Sequence, residues 1–276
     1  GTTALYAYLS EHPQIFMSEV KELNYFAFDF PNVQKITFHS KEDYLKVFAQ
    51  ADGSHLAVGE ASPFYLYSQT AFEKIYEFDP QAKIILTLRN PINFVQSFHQ
   101  LNLSLLREDQ EDIEKAWNLQ SDRLHGKFIP ASCRELLFTQ YGELGLFGKY
   151  VQKLYSIFPR EQVLIIIFED FASQPKAIYE KILAFLAVPS DQRQEFPPVN
   201  ANFQNKSKIL ARFFHPPQWL YKLFMKIISI FGVKFMKFVS VIYNRIEKLN
   251  TTHSTRQSIR PEFKTQLIQY FQEDVQ

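Results

Sequence analysis

Cysteine is nearly absent from this chain, which contains only Cys133 among its 276 residues. A single thiol excludes an internal disulfide and any metal site built from several cysteines. It also points to a reducing compartment, so we expect a cytoplasmic protein and leave a membrane-associated location open.

A strong charge of either sign is also absent, because 30 basic residues are balanced by 29 acidic ones and leave a net charge of +1. A nearly neutral chain gives no general electrostatic reason for nucleic-acid binding, so no nucleic-acid partner is predicted. The sequence has no GxxxxGK[ST] run, which argues against an ordinary P-loop kinase.

The residues that are present favour a folded α/β domain. Hydrophobic residues make up 46% and aromatic residues 16% of the chain, which favours a globular core over disorder. Strand patterns near Leu56–Gly59, Ile84–Leu88 and Val163–Phe168 alternate with helical patterns, which predicts a mostly parallel central sheet with helices on both faces. The helical patterns lie near Thr3–Ser10, Lys41–Ala49, Ser68–Phe78, Asn93–Leu106, Gly142–Phe158 and Pro175–Leu186. A mobile loop that borders an acceptor pocket is expected at Gln120–Leu136.

The segment KIILTLRNPINFVQSFHQ, residues 83–100, is the most informative part of the chain. The run Ile84–Leu88 is typical of a parallel strand that is covered on both faces. Arg89 then follows the carboxyl end of this strand, where open α/β sheets bind their ligands. Pro91 suits the first turn of a helix, and Ser97 lies about two turns into that helix. An arginine and a hydroxyl near one crevice predict a phosphate site, whereas a salt bridge and a helix-flank serine are the structural alternative.

The first residues, GTTALYAYLS, point in the same direction. Gly1, Thr2 and Thr3 precede a helical pattern, so their backbone N–H groups and the positive end of the helix dipole would face an anion. Ordinary capping by one of the threonines is the alternative explanation.

Together these segments resemble the PAPS-dependent sulfotransferases, in particular the branch with heparan sulfate sulfotransferases and many bacterial relatives. The matching pieces stand in the family's order and cover most of the chain outside roughly residues 200–250. They are GTTALYAYLSEHPQIFM, KELNYF, GEASPFYLYS, KIILTLRNPINFVQS, FPREQVLIIIFEDFASQPKAIYEKILAFLAV and IRPEFKTQLIQYFQEDVQ.

The resemblance implies a P-loop-like three-layer α/β fold and sulfonate transfer from 3′-phosphoadenosine 5′-phosphosulfate (PAPS) to a hydroxyl or amine. It assigns the 5′-phosphosulfate to Gly1, Thr2 and Thr3, and the 3′-phosphate to Arg89 and Ser97. It also implies that no metal is required, because fixed donors and a lysine meet the charge of the leaving phosphate.

The same resemblance makes Glu22, in KELNYF, the candidate general base. A carboxylate beside Tyr25 and Phe26 would be partly desolvated and would accept the proton of the acceptor. A solvated loop glutamate is the alternative. The heparan branch often has a histidine where this chain has Asn24 and a lysine where it has Ala61, so the acceptor is predicted only as a small molecule, a glycan or a lipid headgroup.

The family's loop carries a lysine just before the glycine, and the numbering here begins at the glycine. We therefore expect a single domain over residues 1–276 that is truncated at both ends, with a helical insertion at about 209–250. Within it, residues 216–248 place six basic residues on one face of a projected helix and aromatic residues on the other. This pattern predicts peripheral membrane contact, and a helical hairpin that packs on the core or covers the acceptor is the alternative. A kinase-like nucleotide-binding protein and a catalytically silent, membrane-associated scaffold remain as alternative functions.

Overall fold

A computed structural model of the protein describes residues 1–30, 32–33, 38, 40–133, 135–197, 203–205, 251–253 and 258–275. The predicted helical insertion at 209–250 and the basic segment at 216–248 lie outside the described residues, so both stay predictions.

Two parallel strand pairs form the framework of the fold. Strand β1 (Ile15–Met17) pairs with β2 (Ala57–Gly59), and β3 (Ile84–Leu88) pairs with β4 (Val163–Ile167). The register of the second pair places Ile84 opposite Val163 and Leu88 opposite Ile167, so both strands end at the same level. Parallel pairing of this kind confirms the prediction of an α/β fold. A third pair, β5 (Phe203–Asn205) with β6 (Thr251–His253), is antiparallel.

Eleven helices lie in the described part of the chain. They are α1 (Thr2–Ser10), α2 (Lys41–Leu45), α3 (Ala71–Phe78), α4 (Pro91–Ser104), α5 (Ile113–Asn118), α6 (Gln120–Leu124), α7 (Tyr141–Gly145), α8 (Phe147–Ile157), α9 (Phe168–Ser173), α10 (Pro175–Leu186) and α11 (Pro261–Val275). Short 3₁₀ turns lie at Lys46–Phe48, Pro63–Leu66, Leu136–Thr139 and Arg160–Gln162. No described helix combines the length and the apolar character that crossing a bilayer requires.

Local sequence signals explain several of these boundaries. Helix α10 has Pro175 at its start and ends at Ala187, which adopts the left-handed conformation with φ 59°. Helix α5 begins after Asp112, whose carboxylate accepts from the backbone N–H groups of Glu114 and Lys115 at 2.9 and 3.0 Å.

Two of the predicted elements were wrong in part. The helix expected over Gly142–Phe158 is two helices, α7 and α8, because Leu146 between them has a non-helical ψ of 72°. Glycine is a poor helix former, so Gly145 at the end of α7 favours this break. The loop expected over Gln120–Leu136 begins with helix α6, and Arg123 in that helix is fully buried.

The chain divides into two compact units. Unit 1 comprises Gly1–Asn90, Phe147–Asn200 and Asp274–Gln276, and unit 2 comprises Pro91–Leu146 and Ala201–Glu273. The single domain over residues 1–276 remains a prediction.

The core of unit 1 packs α1 against both parallel strand pairs. Its buried residues are Leu5, Tyr8, Leu9, Ile15, Ile166, Phe171, Tyr179, Ile182, Leu183 and Val188. A second cluster in this unit surrounds Leu23 and Phe26 with Tyr44 and Ala71, and thereby anchors the KELNYF segment. Apolar burial is the main favourable term in folding, so these contacts fix where α1 and KELNYF lie.

Unit 2 has its own core around α4, α5, α7 and α11. Its buried residues are Val95, Ile113, Ala116, Trp117, Tyr141, Phe263, Leu267 and Phe271. A buried ion pair lies in the same unit, where both Nη atoms of Arg123 donate to the Glu108 carboxylate at 2.6 and 2.7 Å.

Candidate functional site

The start of α1 lies against the carboxyl ends of β3 and β4. A side-chain carbon placed on Gly1 would approach Thr87 Cγ2 and Phe168 Cδ2 to 2.9 Å, which is closer than real Cβ atoms come. Thr87 is part of β3, and Phe168 follows the last residue of β4. Only glycine fits this approach, which sets the first turn of α1 at the strand edge where α/β proteins bind ligands.

The first turn of α1 has the geometry of an anion site. Gly1 caps the helix without a side-chain hydrogen bond, and its carbonyl accepts the Leu5 N–H at 3.0 Å. The backbone N–H groups of the first helical residues, Thr2 and Thr3 among them, have no acceptor within the helix and carry its positive partial charge. The predicted cradle at Gly1, Thr2 and Thr3 therefore suits a phosphate or a phosphosulfate.

Arg89 adds positive charge at the same edge. Its guanidinium carbon lies 4.8 Å from the centre of the Phe168 ring, and its Nε lies 3.9 Å from Glu169 Oε1. Lys21, whose Nζ lies 3.0 Å from Thr3 Oγ1, is a second cation at the start of α1. This region of unit 1 is therefore electropositive and favours an anionic ligand.

Ser97, the other predicted phosphate ligand, belongs to α4 in unit 2. Its hydroxyl donates to the Phe94 carbonyl at 3.0 Å, which is a common local bond of a helical serine. Its shared role with Arg89 stays a prediction.

Lys21 connects the cradle to the candidate base. Its Nζ donates to Thr3 Oγ1 at 3.0 Å and to Glu22 Oε1 at 3.4 Å. The structure thus brings Thr3 of α1 together with the neighbouring residues Lys21 and Glu22 of a later segment. The Glu22 side chain is 30% exposed, so it keeps access to solvent. It is therefore less desolvated than we expect from a position close to Tyr25 and Phe26 in the sequence.

The backbone around Glu22 has an unusual conformation. Glu22 and Asn24 have φ angles of 62° and 52°, in the left-handed region that non-glycine residues rarely adopt. Hydrogen bonds hold this shape, because Glu22 N donates to the Ala61 carbonyl at 2.9 Å and Asn24 N donates to Ser62 Oγ at 3.0 Å. The Asn24 amide also donates to the Glu22 carbonyl at 3.1 Å. Backbone strain of this kind occurs often at functional sites, and the Glu22 side chain lies 3.4 Å from Lys21 Nζ.

Glu60 is part of the hydrogen-bond network that holds the Glu22 loop. Its carboxylate accepts hydrogen bonds from Ser62 Oγ at 2.6 Å, from Tyr65 OH at 2.6 Å and from Tyr44 OH at 2.9 Å. Burial raises the pKa of Glu60, while these three hydroxyl donors act in the opposite direction. Since Ser62 also accepts from Asn24 N, a chain of hydrogen bonds runs from partly buried Glu60 to the Glu22 loop.

Sequence reasoning missed Lys21 and Glu60 as parts of this site. The signal for Lys21 was its place next to Glu22, but adjacent lysine and glutamate residues are common on solvated loops. The signal for Glu60 was a carboxylate in the matching segment GEASPFYLYS, where burial cannot be read from the sequence. In the part of the chain that the structure describes, no group of three or more His, Cys, Asp or Glu residues could hold a metal ion.

The chain is similar to known sulfotransferases in both sequence and structure. Residues 1–209 match the family described as Sulfotransferase domain. A crystal structure of a sulfotransferase from Alicyclobacillus acidocaldarius is similar with a TM-score of 0.63 and 30% sequence identity, and covers 72% of this chain and 81% of that one.

Two curated relatives are more distant in sequence. The membrane-associated sulfotransferase kil1 of Dictyostelium discoideum is 23% identical over 81% of this chain and 62% of its own length. Carbohydrate sulfotransferase 15 of Mus musculus is 23% identical over 71% of this chain and 43% of its own length. The chain therefore spans less than two thirds of these curated relatives.

Proposed function

Because the chain belongs to the sulfotransferase family, we propose that it transfers a sulfonate group from PAPS to a hydroxyl or amine of an acceptor. The observation that carries this proposal is the electropositive start of α1, where Gly1 packs on the edge of β3 and β4 beside Arg89. The candidate base Glu22 lies one lysine away from the same helix start. Sulfonate transfer requires a site that binds the phosphosulfate of the donor and a group that accepts the proton of the acceptor.

The residues take separate roles in the proposed reaction. Backbone N–H groups at Gly1, Thr2 and Thr3 bind the 5′-phosphosulfate, and Arg89 with Ser97 binds the 3′-phosphate. The acceptor oxygen or nitrogen attacks sulfur and forms a new bond to it, while the bond from sulfur to the bridging oxygen breaks. The electron pair of that bond remains on the 5′-phosphate of the product PAP. Glu22 takes the proton that the acceptor loses.

The acceptor that we propose is a small molecule or a glycan. Support comes from the carbohydrate sulfotransferase among the relatives and from an exposed aromatic ring six residues after Glu22. This residue, Phe28, is 52% exposed, and the centre of its ring lies 5.7 Å from that of Tyr25. Exposed aromatic rings offer a flat apolar surface with low conformational entropy, which suits a sugar ring or an aromatic alcohol.

Radioactive sulfonate transfer tests the proposed function. The protein is incubated with sulfur-labelled PAPS and, in separate reactions, with chondroitin, galactosylceramide or p-nitrophenol. We expect label in at least one product and release of PAP in equal amount. Binding of PAP without transfer to any acceptor would favour the silent scaffold, and transfer of phosphate from labelled ATP would favour a kinase. Failure to bind PAP in calorimetry would contradict the proposed site itself.

We also propose that residues 216–248 make peripheral contact with an anionic membrane. The support is the basic and aromatic pattern of this segment, together with a relative whose name describes it as membrane-associated. Each basic residue near an anionic surface contributes about 1 kcal/mol, so binding should weaken as salt rises.

Liposome flotation measures this contact. We expect the protein to float with phosphatidylserine-containing liposomes at low salt, and to lose most of this binding when Lys226, Lys234 and Lys237 are changed to Glu. The control is a triple Lys→Glu variant at positions 46, 74 and 127, whose side chains are 74%, 46% and 66% exposed. It changes the net charge equally, so equal loss in both variants would show a nonspecific charge effect. A parent protein that stays in the soluble fraction would support the hairpin alternative.

A further inference from the structure

Lys21 occupies a position that ordinary surface lysines do not. Its side chain is 17% exposed, whereas Lys46 and Lys74, which also pair with carboxylates, are 74% and 46% exposed. Those two pairs join neighbouring turns of one helix or helix end, three residues apart. Lys21 instead donates to Thr3, in a different element, and to Glu22. The Lys21 ammonium is therefore largely removed from water and is positioned by contacts within the folded chain.

The two contacts of Lys21 belong to the two parts of the proposed site. Thr3 belongs to the helix turn that would bind the phosphosulfate, and Glu22 would accept the proton of the attacking acceptor. In an in-line transfer, the sulfur atom lies between the leaving phosphate oxygen and the attacking atom. Lys21 contacts both the cradle and the base, so its ammonium is within reach of a sulfonate that lies between them.

We infer that the Lys21 ammonium binds the sulfonate group of PAPS, an inference that rests on the proposed function. A cation at this place stabilises the negative charge on the sulfonate oxygens during transfer. Lys21 remains protonated throughout and exchanges no atoms. It is thus a further catalytic residue, separate from the 3′-phosphate site at Arg89.

The geometry also couples donor binding to the base. Lys21 Nζ and Glu22 Oε1 are in contact at 3.4 Å. A sulfonate that enters at the helix start competes for the same ammonium and frees a lone pair of the Glu22 carboxylate.

Calorimetry with PAPS and with PAP, in the absence of an acceptor, tests this inference, since PAP lacks the sulfonate. Lys21→Met keeps the length of the side chain and removes its charge, and we expect about tenfold weaker PAPS binding, as for the loss of one charged hydrogen bond. PAP binding should change by less than about threefold, because PAP lacks the group that Lys21 contacts. Lys21→Arg retains a cation and should restore most of the PAPS affinity.

Lys74→Met is the matched control, because it removes an exposed lysine from a carboxylate pair, and its PAPS affinity should equal that of the parent. Thermal unfolding reports whether Lys21→Met is folded, and Lys21→Gln serves as a second neutral variant that keeps a hydrogen-bond donor.

The outcomes separate this inference from the function on which it rests. Unchanged PAPS affinity in Lys21→Met, with normal PAP binding in the parent, would overturn the inference and leave the proposed function intact. Equal weakening of PAPS and PAP would place the contact on the phosphate and would also overturn it. A parent protein that binds neither nucleotide would overturn both.

Discussion

Glu22→Gln is expected to lower the turnover number by a factor of about 10²–10⁴ while the protein still binds PAP. Glutamine has nearly the same shape as glutamate, but its amide cannot accept the proton of the acceptor. The loop should keep its form, because Glu22 is held there through backbone bonds from its N–H to Ala61 and from Asn24 to its carbonyl. The measurement is steady-state transfer from labelled PAPS to whichever acceptor the panel identifies, under conditions where chemistry limits the rate.

Glu19→Gln provides the control for this experiment. Glu19 is an exposed residue three positions before Glu22 and accepts a hydrogen bond from Gln50 at 3.3 Å, so its loss should leave turnover unchanged. Glu22→Gln with parental turnover would show that another group takes the proton. A large rise in KM with unchanged kcat would instead assign Glu22 to acceptor binding.

Arg89→Ala is expected to weaken PAP binding by about 2–4 kcal/mol, because it removes charge-assisted hydrogen bonds to a phosphate. Calorimetry with PAP and with AMP locates the effect, since AMP lacks the 3′-phosphate. If Arg89 binds that phosphate, the variant should lose most of its preference for PAP over AMP. Arg89→Lys keeps the charge without the planar fork and should fall between the two.

The structure offers a matched control in Arg160, whose guanidinium carbon lies 4.6 Å from the Tyr155 ring centre, much as Arg89 lies over Phe168. Arg160→Ala removes an arginine that stacks on an aromatic ring far from the helix start in sequence, and PAP affinity should not change. An equal loss of PAP and AMP affinity in Arg89→Ala would reassign Arg89 to the 5′-phosphate. That outcome would leave the anion site at α1 in place.

Sequence alone identified the strand and the helices whose signals are local. The run Ile84–Leu88 forms β3 with the predicted bounds, because five consecutive residues without charge favour a covered parallel strand. Helix α10 also has its predicted bounds, since Pro175 starts it and a left-handed Ala187 ends it. The position of Arg89 directly after β3 follows from the same strand boundary.

Local patterns failed where distant residues decide the structure. Helix α6 lies within the segment Gln120–Leu136, for which the sequence predicts a loop. Arg123 in this helix is fully buried, and it forms a bidentate ion pair with Glu108. Burial of an arginine requires a partner that satisfies its charge, and nothing in the spacing of the two residues identifies that partner.

The sequence by itself determined the α/β class, the family and the chemical types of the candidate site residues, because these depend on periodicity, on strand ends and on motif order. Tertiary structure alone decided how the site is assembled. It placed Gly1 against Thr87 and Phe168, bent the chain into a left-handed conformation at Glu22, and joined Thr3 to Glu22 through Lys21. These contacts depend on packing between segments far apart in the chain, and that packing is set by the burial of both parallel strand pairs in one core.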